Sequence, residues 1–300
     1  MKNICEMIKM EVQTFSIIAG TMACNARCPF CVSKMTPPQG MTLKEPDVNW
    51  RNFHKSAQLA KEYGAKTVLI TGKGEPTLFP GQITSYLHEL EKYNFPIIEL
   101  QTNGISLYEN KDSNRKLLQT WYDQGLTTIA ISIVHYDKEK NKEIYLPYKK
   151  DYIELPGLID HLHDMKYSVR LSCVMADNYI SDKKSLEHLI HFASDNSVEQ
   201  LTLRPVNKPD NSLDDEVSAW IAKNYLKSTQ YDEIQSYLNT NGKQLMKLSH
   251  GATVYDVYGQ NVCLTNSLTI DKDSDSIRQL IFFPDGHLRY DWQYKGAILL

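Results

Sequence analysis

Long apolar runs are missing from this chain of 300 residues. No stretch approaches the roughly 18 apolar residues that a membrane-crossing helix needs. The N-terminal MKNICEMIKM offers neither an apolar core nor a cleavage site of the secretory kind. The expected location is therefore the cytoplasm, with no membrane partner. Excess basic charge is missing too: 33 Lys and Arg stand against 36 Asp and Glu, a formal net charge of -3. Holding nucleic acid by general phosphate neutralisation needs a basic surface, so a nucleic-acid partner is disfavoured. The densest lysine stretch, Lys138 to Lys150, is interleaved with Glu139 and Glu143 and reads as a solvated helix face. No low-complexity linker divides the chain, and no second pair of cysteines exists.

What is present is one compact set of thiols. Cys5, Cys173 and Cys263 are isolated, whereas Cys24, Cys28 and Cys31 fall within CNARCPFC. The spacing C-x3-C-x2-C offers three thiolates to an iron-sulfur cluster that takes four ligands. One iron is left open. Structural zinc would need a fourth ligand, usually from a second pair, and a disulfide framework would need an extracellular setting. Asn25, Pro29 and the short spacing make the run a loop wrapped on a compact object. An open iron on a low-potential cluster can bind a small molecule and pass it an electron, so the run points to radical chemistry.

The run, with the aromatic Phe30 just before its third cysteine, resembles the signature of the radical S-adenosylmethionine (radical SAM) superfamily. The resemblance implies a 4Fe-4S cluster on Cys24, Cys28 and Cys31, with the amino and carboxylate groups of SAM on the fourth iron. It implies reductive cleavage of SAM to a 5'-deoxyadenosyl radical, the protein supplying placement and exclusion of water. A flavodoxin- or ferredoxin-type electron donor is the implied partner. A second motif, Thr71-Gly72-Lys73-Gly74-Glu75-Pro76, resembles the family's GGEP motif, with Lys73 standing where the usual pair has its first glycine. Gly72 and Gly74 allow the backbone to approach a ligand closely, and Glu75 can accept hydrogen bonds from the methionine ammonium. In Gln101-Thr102-Asn103-Gly104, similar to a common turn of the family, Asn103 either faces the pocket or accepts a left-handed backbone. Ser132 sits where the family often hydrogen-bonds the ribose of SAM.

Runs rich in β-branched residues recur at Thr14 to Ala19, Thr67 to Thr71, Ile97 to Thr102, Thr127 to Val134, Ser168 to Met175 and Gln200 to Pro205. Amphipathic segments lie between them; the first opens near Pro46, carries Trp50, Phe53, Ala57 and Ala60 on one face and stops at Gly64. This alternation predicts an α/β fold with a parallel sheet. Six such units suit the partial (β/α)6 TIM-like barrel of the radical SAM type, whose chemistry sits at the C-terminal strand ends. Residues 1–210 are expected to form that core. Residues 211–300 form a C-terminal extension over its mouth: helix over 213 to 239, then short strands at 252 to 258, 261 to 265, 277 to 283 and 287 to 292. Phe283-Pro284-Asp285-Gly286 reads as a hairpin turn.

Catalytic candidates are fewer. His135 and Tyr136 follow the fourth strand and would point toward substrate. Arg204 ends the sixth strand, where its planar fork could clamp a carboxylate or phosphate, or pair with a barrel acid. Cys263, in the C-terminal strand region, is a natural hydrogen-atom donor to a substrate radical. Added cluster cysteines, frequent in peptide-modifying members, are absent downstream of the motif, and with the motif beginning at residue 24 no leader-peptide recognition domain is expected ahead of the barrel. These features favour a small or medium polar substrate such as a nucleoside, sugar or amino acid derivative. The expected reaction is hydrogen abstraction followed by rearrangement, elimination, epimerisation or decarboxylation. The alternatives are radical SAM modification of RNA or of a peptide, and a regulatory protein that binds cluster and SAM without turnover.

Overall fold

The computed structural model describes residues 11–145, 151–248, 250–265 and 276–300. Cys5 lies outside them. Eleven strands appear in chain order: β1 Glu11–Ile18, β2 Thr67–Thr71, β3 Ile97–Thr102, β4 Thr128–Ile133, β5 Ser168–Met175, β6 Gln200–Pro205, β7 Gly242–Lys247, β8 Thr253–Val257, β9 Gln260–Leu264, β10 Ser276–Phe282 and β11 Leu288–Arg289. The helices are α1 Val32–Met35, α2 Trp50–Glu62, α3 Pro80–Leu90, α4 Ile105–Glu109, α5 Arg115–Asp123, α6 Lys138–Tyr145, α7 Leu155–Asp164, α8 Lys183–Asp195, α9 Asp215–Asn224 and α10 Ser228–Asn241. All strands belong to one sheet in the order β11-β10-β1-β2-β3-β4-β5-β6-β9-β8-β7. From β1 to β6 every neighbour is parallel and follows in sequence order, the signature of repeated βα units. The two outermost strands do not pair with each other, so the barrel is partial.

Side chains alternate across each strand, and the alternation is chemically sorted. Ile129, Ile131 and Ile133 of β4, Val169, Leu171 and Cys173 of β5, and Leu201 and Leu203 of β6 are buried in the main apolar core. The helices cover that face. In α2, Phe53 is fully buried and meets Phe15 of β1 at 6.2 Å and Phe282 of β10 at 5.3 Å between ring centroids. Burying one such side chain contributes about 1.5–3 kcal/mol. Asn49 caps α2 by accepting the Asn52 amide at 3.1 Å, and Gly64, at φ +97, ends it. On the opposite face the registered partners Ser132, Ser172, Thr202 and Cys263 form a polar row across β4, β5, β6 and β9. Glu99 and Gln101 of β3, Arg170 of β5 and Arg204 of β6 lie on the same face. Ordinary barrels fill this interior with branched apolar side chains.

The C-terminal residues join both ends of the sheet. β9 pairs parallel with β6 and carries the β8 and β7 meander, while β10 pairs parallel with β1. The expected helix over 213 to 239 is two helices, because the chain is extended at Tyr225 and at Lys227 between them. Strand β7 escaped the sequence pattern. Its GKQLMK has no buried face, with Leu245 and Met246 about half exposed, and it is held by backbone pairing to β8. The turn at 283–286 is present, with the Gly286 amide donating to the Phe283 carbonyl at 2.9 Å. The strand expected at 287 to 292 shortens to Leu288–Arg289, the following residues bending at Asp291, whose carboxylate accepts the Gln293 amide.

Candidate active site

The cysteine loop leaves the C-terminal end of β1 and is bound to the loop that leaves β2. The Gly74 amide donates to the Thr21 carbonyl and the Glu75 amide to the Ala23 carbonyl, both at 2.9 Å. A Cβ at Gly74 would lie 1.9 Å from the Ala23 oxygen, and one at Gly72 would lie 2.9 Å from the Gly74 oxygen. The close approach that Gly74 permits is thus to the cysteine loop itself, whereas Gly72 lies against its own loop and the Ala19 carbonyl. Gly20 precedes the loop at φ +77, its amide donating to Gln82 Oε1 at 2.5 Å. The Arg27 amide ties the loop to the end of α6 through the Tyr145 carbonyl at 2.8 Å. Phe30 sits 5.6 Å from Trp220 of α9 and edge-on to Tyr145 at 6.3 Å.

Cys24, Cys28 and Cys31 are partly buried and lie in one another's electrostatic field. Burial pushes the Cys24 thiol up to about 11 and that of Cys28 higher still, with Cys31 adding to both. Among the described residues no group of three or more His, Cys, Asp or Glu converges to hold a single metal ion. An iron-sulfur cluster takes its thiolates from separate cysteines, as one loop carrying three of them provides. Iron binding would displace their protons.

Glu75 is buried beneath the loop. Its Oε1 accepts from the Thr77 amide at 3.1 Å, the Thr77 hydroxyl at 2.7 Å and the Thr102 hydroxyl at 2.6 Å. Oε2 accepts a single bond, from the Asn103 amide at 2.9 Å, and keeps acceptor capacity. Burial raises the Glu75 carboxyl above its ordinary range, and the four donors oppose that shift. Asn103 then links this network to the thiols. Its Nδ2 donates to Asn25 Oδ1 at 2.7 Å and lies 3.9 Å from Cys24 Sγ, while Oδ1 accepts the Ile105 amide at 3.0 Å. The left-handed backbone that the turn needs falls on Gly104, at φ +77, and not on Asn103. Lys73 is also buried. Its Nζ donates to Thr36 Oγ1 at 2.7 Å and the Pro37 carbonyl at 2.9 Å and stands 5.5 Å from the Trp292 ring centre. Burial lowers its pKa to about 8, with Cys31 pulling the other way.

The remaining candidates divide into two places. Ser132 is on the polar inner face beside Ser172. Cys263 is on the same row, and burial raises its thiol pKa against the pull of Arg170, Arg204 and Arg278. His135 and Tyr136 follow the end of β4. His135 Nδ1 accepts the Asp137 amide at 2.9 Å, its ring lies 4.2 Å from that of Tyr136, and burial lowers its pKa. The Tyr136 hydroxyl meets His188 Nδ1 at 3.3 Å and its ring packs on Phe192, both residues of α8. Neither hydrogen-bonds or stacks on the cysteine loop.

Sequence reasoning passed over Thr77, Thr102, Asn25 and Thr36, whose hydroxyl and amide groups position the motif residues. Thr102 and Asn25 stood beside residues already singled out; Thr36 carried no signal. A cleft of about 340 Å3 lined by Pro46, Trp50, Leu78, Phe79 and Gln82 lies between the start of α2 and α3 and shares no residue with the cysteine loop or the polar face.

The family model of the radical SAM superfamily matches residues 18–174, more than half of the chain. The chain belongs to the radical SAM superfamily. That superfamily works with an iron-sulfur cluster and SAM. SuiB of Streptococcus suis bound to S-adenosylmethionine is similar in structure, with a TM-score of 0.62 at 14% identity over 96% of this chain and 62% of that one. A radical SAM methyltransferase from Sphaerobacter thermophilus gives 0.56 at 13% identity over 92% and 70%. Methylornithine synthase (PylB) gives 0.50 at 14% over 88% and 74%. At these identities the likeness concerns the fold, and this radical SAM chain spans 62% of the length of SuiB. A search of curated protein sequences returns no match. Among the described residues no helix is long and apolar enough to cross a membrane.

Proposed function

We propose that Cys24, Cys28 and Cys31 hold a 4Fe-4S cluster and that the enzyme abstracts a hydrogen atom from a small or medium polar substrate bound on the inner face of the sheet. The observation that carries this reading is the polar row Ser132, Ser172, Thr202 and Cys263 across the inner face. When bound, cluster and SAM supply a one-electron cleavage that yields a carbon radical. The chain's own groups do the rest. Gly74 lets the second motif close on the cysteine loop and Gly72 lets that motif turn tightly, Glu75 Oε2 offers its free acceptor capacity to the SAM ammonium, and Asn103 and Ser132 complete that side. Lys73 anchors the segment after the third cysteine, and Phe30 packs the loop onto α6 and α9.

Cys263 is read as the hydrogen donor. Its raised pKa keeps the S–H bond intact at neutral pH. Homolysis of that bond delivers a hydrogen atom to the substrate radical; one electron from a flavodoxin- or ferredoxin-type donor and one proton from water restore the thiol. Such a return supports outcomes like epimerisation, within the range of rearrangement, elimination, epimerisation and decarboxylation. The setting is the cytoplasm.

Anaerobic reconstitution tests the reading. Bound iron of about four per chain and reductant-dependent 5'-deoxyadenosine are expected, both lost in Cys31→Ala. Iron content far below that level sinks the proposal. With a stimulating metabolite fraction in heavy water, the wild type transfers an exchangeable deuteron into product and Cys263→Ala does not; equal label in both returns Cys263 to a packing role.

A further inference from the structure

Arg204 is a half-buried cation that has no hydrogen-bond or ion-pair partner among the described residues. Its Nε is enclosed and unbonded, and no hydrogen bond or ion pair engages the rest of its guanidinium among the described residues. Glu99, whose charge also reaches Arg204, forms its ion pair with Arg170 and accepts Gln101 Nε2 at 3.1 Å. Arg170 itself has a second buried, unpartnered nitrogen, its Nε. Arg278 adds a third positive charge within electrostatic reach of Arg204. Burial, together with Arg170, draws the Arg204 pKa down to about 10. Desolvation disfavours the charged guanidinium, and the like charges of Arg170 and Arg278 add to that while Glu99 and Cys263 oppose it.

A second orphan stands next to it. Leu203 pairs with Leu264, so Thr265 on the β9 side is level with Arg204 on β6, and the Thr265 amide donates to the Leu203 carbonyl at 3.0 Å. Thr265 Oγ1 is buried with no hydrogen-bond partner among the described residues. Arg204 lies two residues beyond Thr202, and Thr265 two beyond Cys263, so both share the inner face with that row and stand nearer the C-terminal strand ends. A guanidinium fork, a second guanidinium edge and a hydroxyl donor therefore meet where substrate is expected.

We infer that the substrate carries an oxyanion group, a carboxylate or a phosphate, which Arg204, the free edge of Arg170 and the Thr265 hydroxyl bind. A planar fork matches either group in bidentate fashion. The anion would complete a polar network that the protein leaves unfinished, and would seat the reacting carbon between the cysteine loop and Cys263. The inference rests on the reading above only in calling this ligand the substrate.

The test is calorimetric titration of the reconstituted, SAM-saturated enzyme with inorganic phosphate and, separately, with succinate. The wild type is expected to bind one of them, Arg204→Met to bind it about tenfold more weakly or worse, and Thr265→Val about threefold more weakly. The exposed Arg51→Met serves as a control for loss of general charge and is expected to bind normally. The probe that loses more affinity identifies phosphate or carboxylate. No binding to the wild type, or equal weakening in Arg51→Met, overturns the inference. So does a fall in SAM affinity in Arg204→Met, which would give the guanidinium to the SAM carboxylate. Should Arg204→Met not fold, unchanged binding in Thr265→Val overturns it. Iron content and SAM binding of the wild type test the radical reading separately.

Discussion

Asn103 receives Glu75 and holds Asn25: its backbone amide donates to Glu75 Oε2 at 2.9 Å while its side-chain Nδ2 donates to Asn25 Oδ1 at 2.7 Å. One residue at the end of β3 thus fastens the carboxylate of the second motif to the loop of the first. Removing its side chain leaves the Glu75 bond and breaks the other. Asn103→Ala is expected to cost about 1–3 kcal/mol of stability and to speed iron loss to a chelator. An unchanged rate of iron release would show the loop is held without it.

Gly74 leaves no room for a methyl group. With backbone oxygen 1.9 Å from the site of a Cβ, Gly74→Ala must part the two loops. Overpacking of this kind costs about 1–3 kcal/mol. The expected variant folds, as circular dichroism would report, yet incorporates less than half the iron of the wild type. Full iron incorporation would mean that the paired backbones are not needed to assemble the site.

Lys73 places a buried ammonium within reach of Cys31. A cation close to a cluster favours its reduced, more negative state. Lys73→Met is expected to lower the midpoint potential in a redox titration followed by electron paramagnetic resonance. A potential that stays fixed would confine Lys73 to tethering Thr36 and Pro37.

The seam of the barrel gives a pH dependence. His250 Nδ1 meets Gln13 Oε1 of β1 at 2.9 Å, and burial, with Arg278 and Arg204 nearby, lowers its pKa to about 4 from 6.5. The unfolded chain binds more protons than the folded one between those values, so stability falls as pH drops through that window. In His250→Gln the loss of thermal stability between pH 6.5 and pH 4 is expected to be smaller. Parallel melting curves for the two proteins would remove His250 from the account.

All six core strands were legible because a helix-covered sheet face must be apolar, and β-branched runs such as Ser168–Met175 carry that signal. The two cluster motifs were legible because thiols and glycines at fixed spacing have few other uses. Strand β7 was not, since an edge held by backbone pairing needs no side-chain pattern. The parallel pairing of β10 with β1 was equally hidden: strands more than 260 residues apart in the chain meet only through tertiary closure. In the site, Thr36 and Thr265 were missed because a hydroxyl acquires meaning only from its neighbour, here Lys73 and Arg204. His135 and Tyr136 follow β4 as expected, with His135 Nδ1 accepting the Asp137 amide and the Tyr136 hydroxyl meeting α8.

Because β11 and β7 leave the ring of strands unjoined, its girth is set by side chains such as Gln13 and His250 rather than by a backbone ladder. Among the described residues, widening the enclosure there would break side-chain bonds such as Gln13–His250 and not a backbone ladder. A larger guest could be admitted by altering this stitch alone, with the sulfur-bearing rim and its supporting carboxylate left where they are.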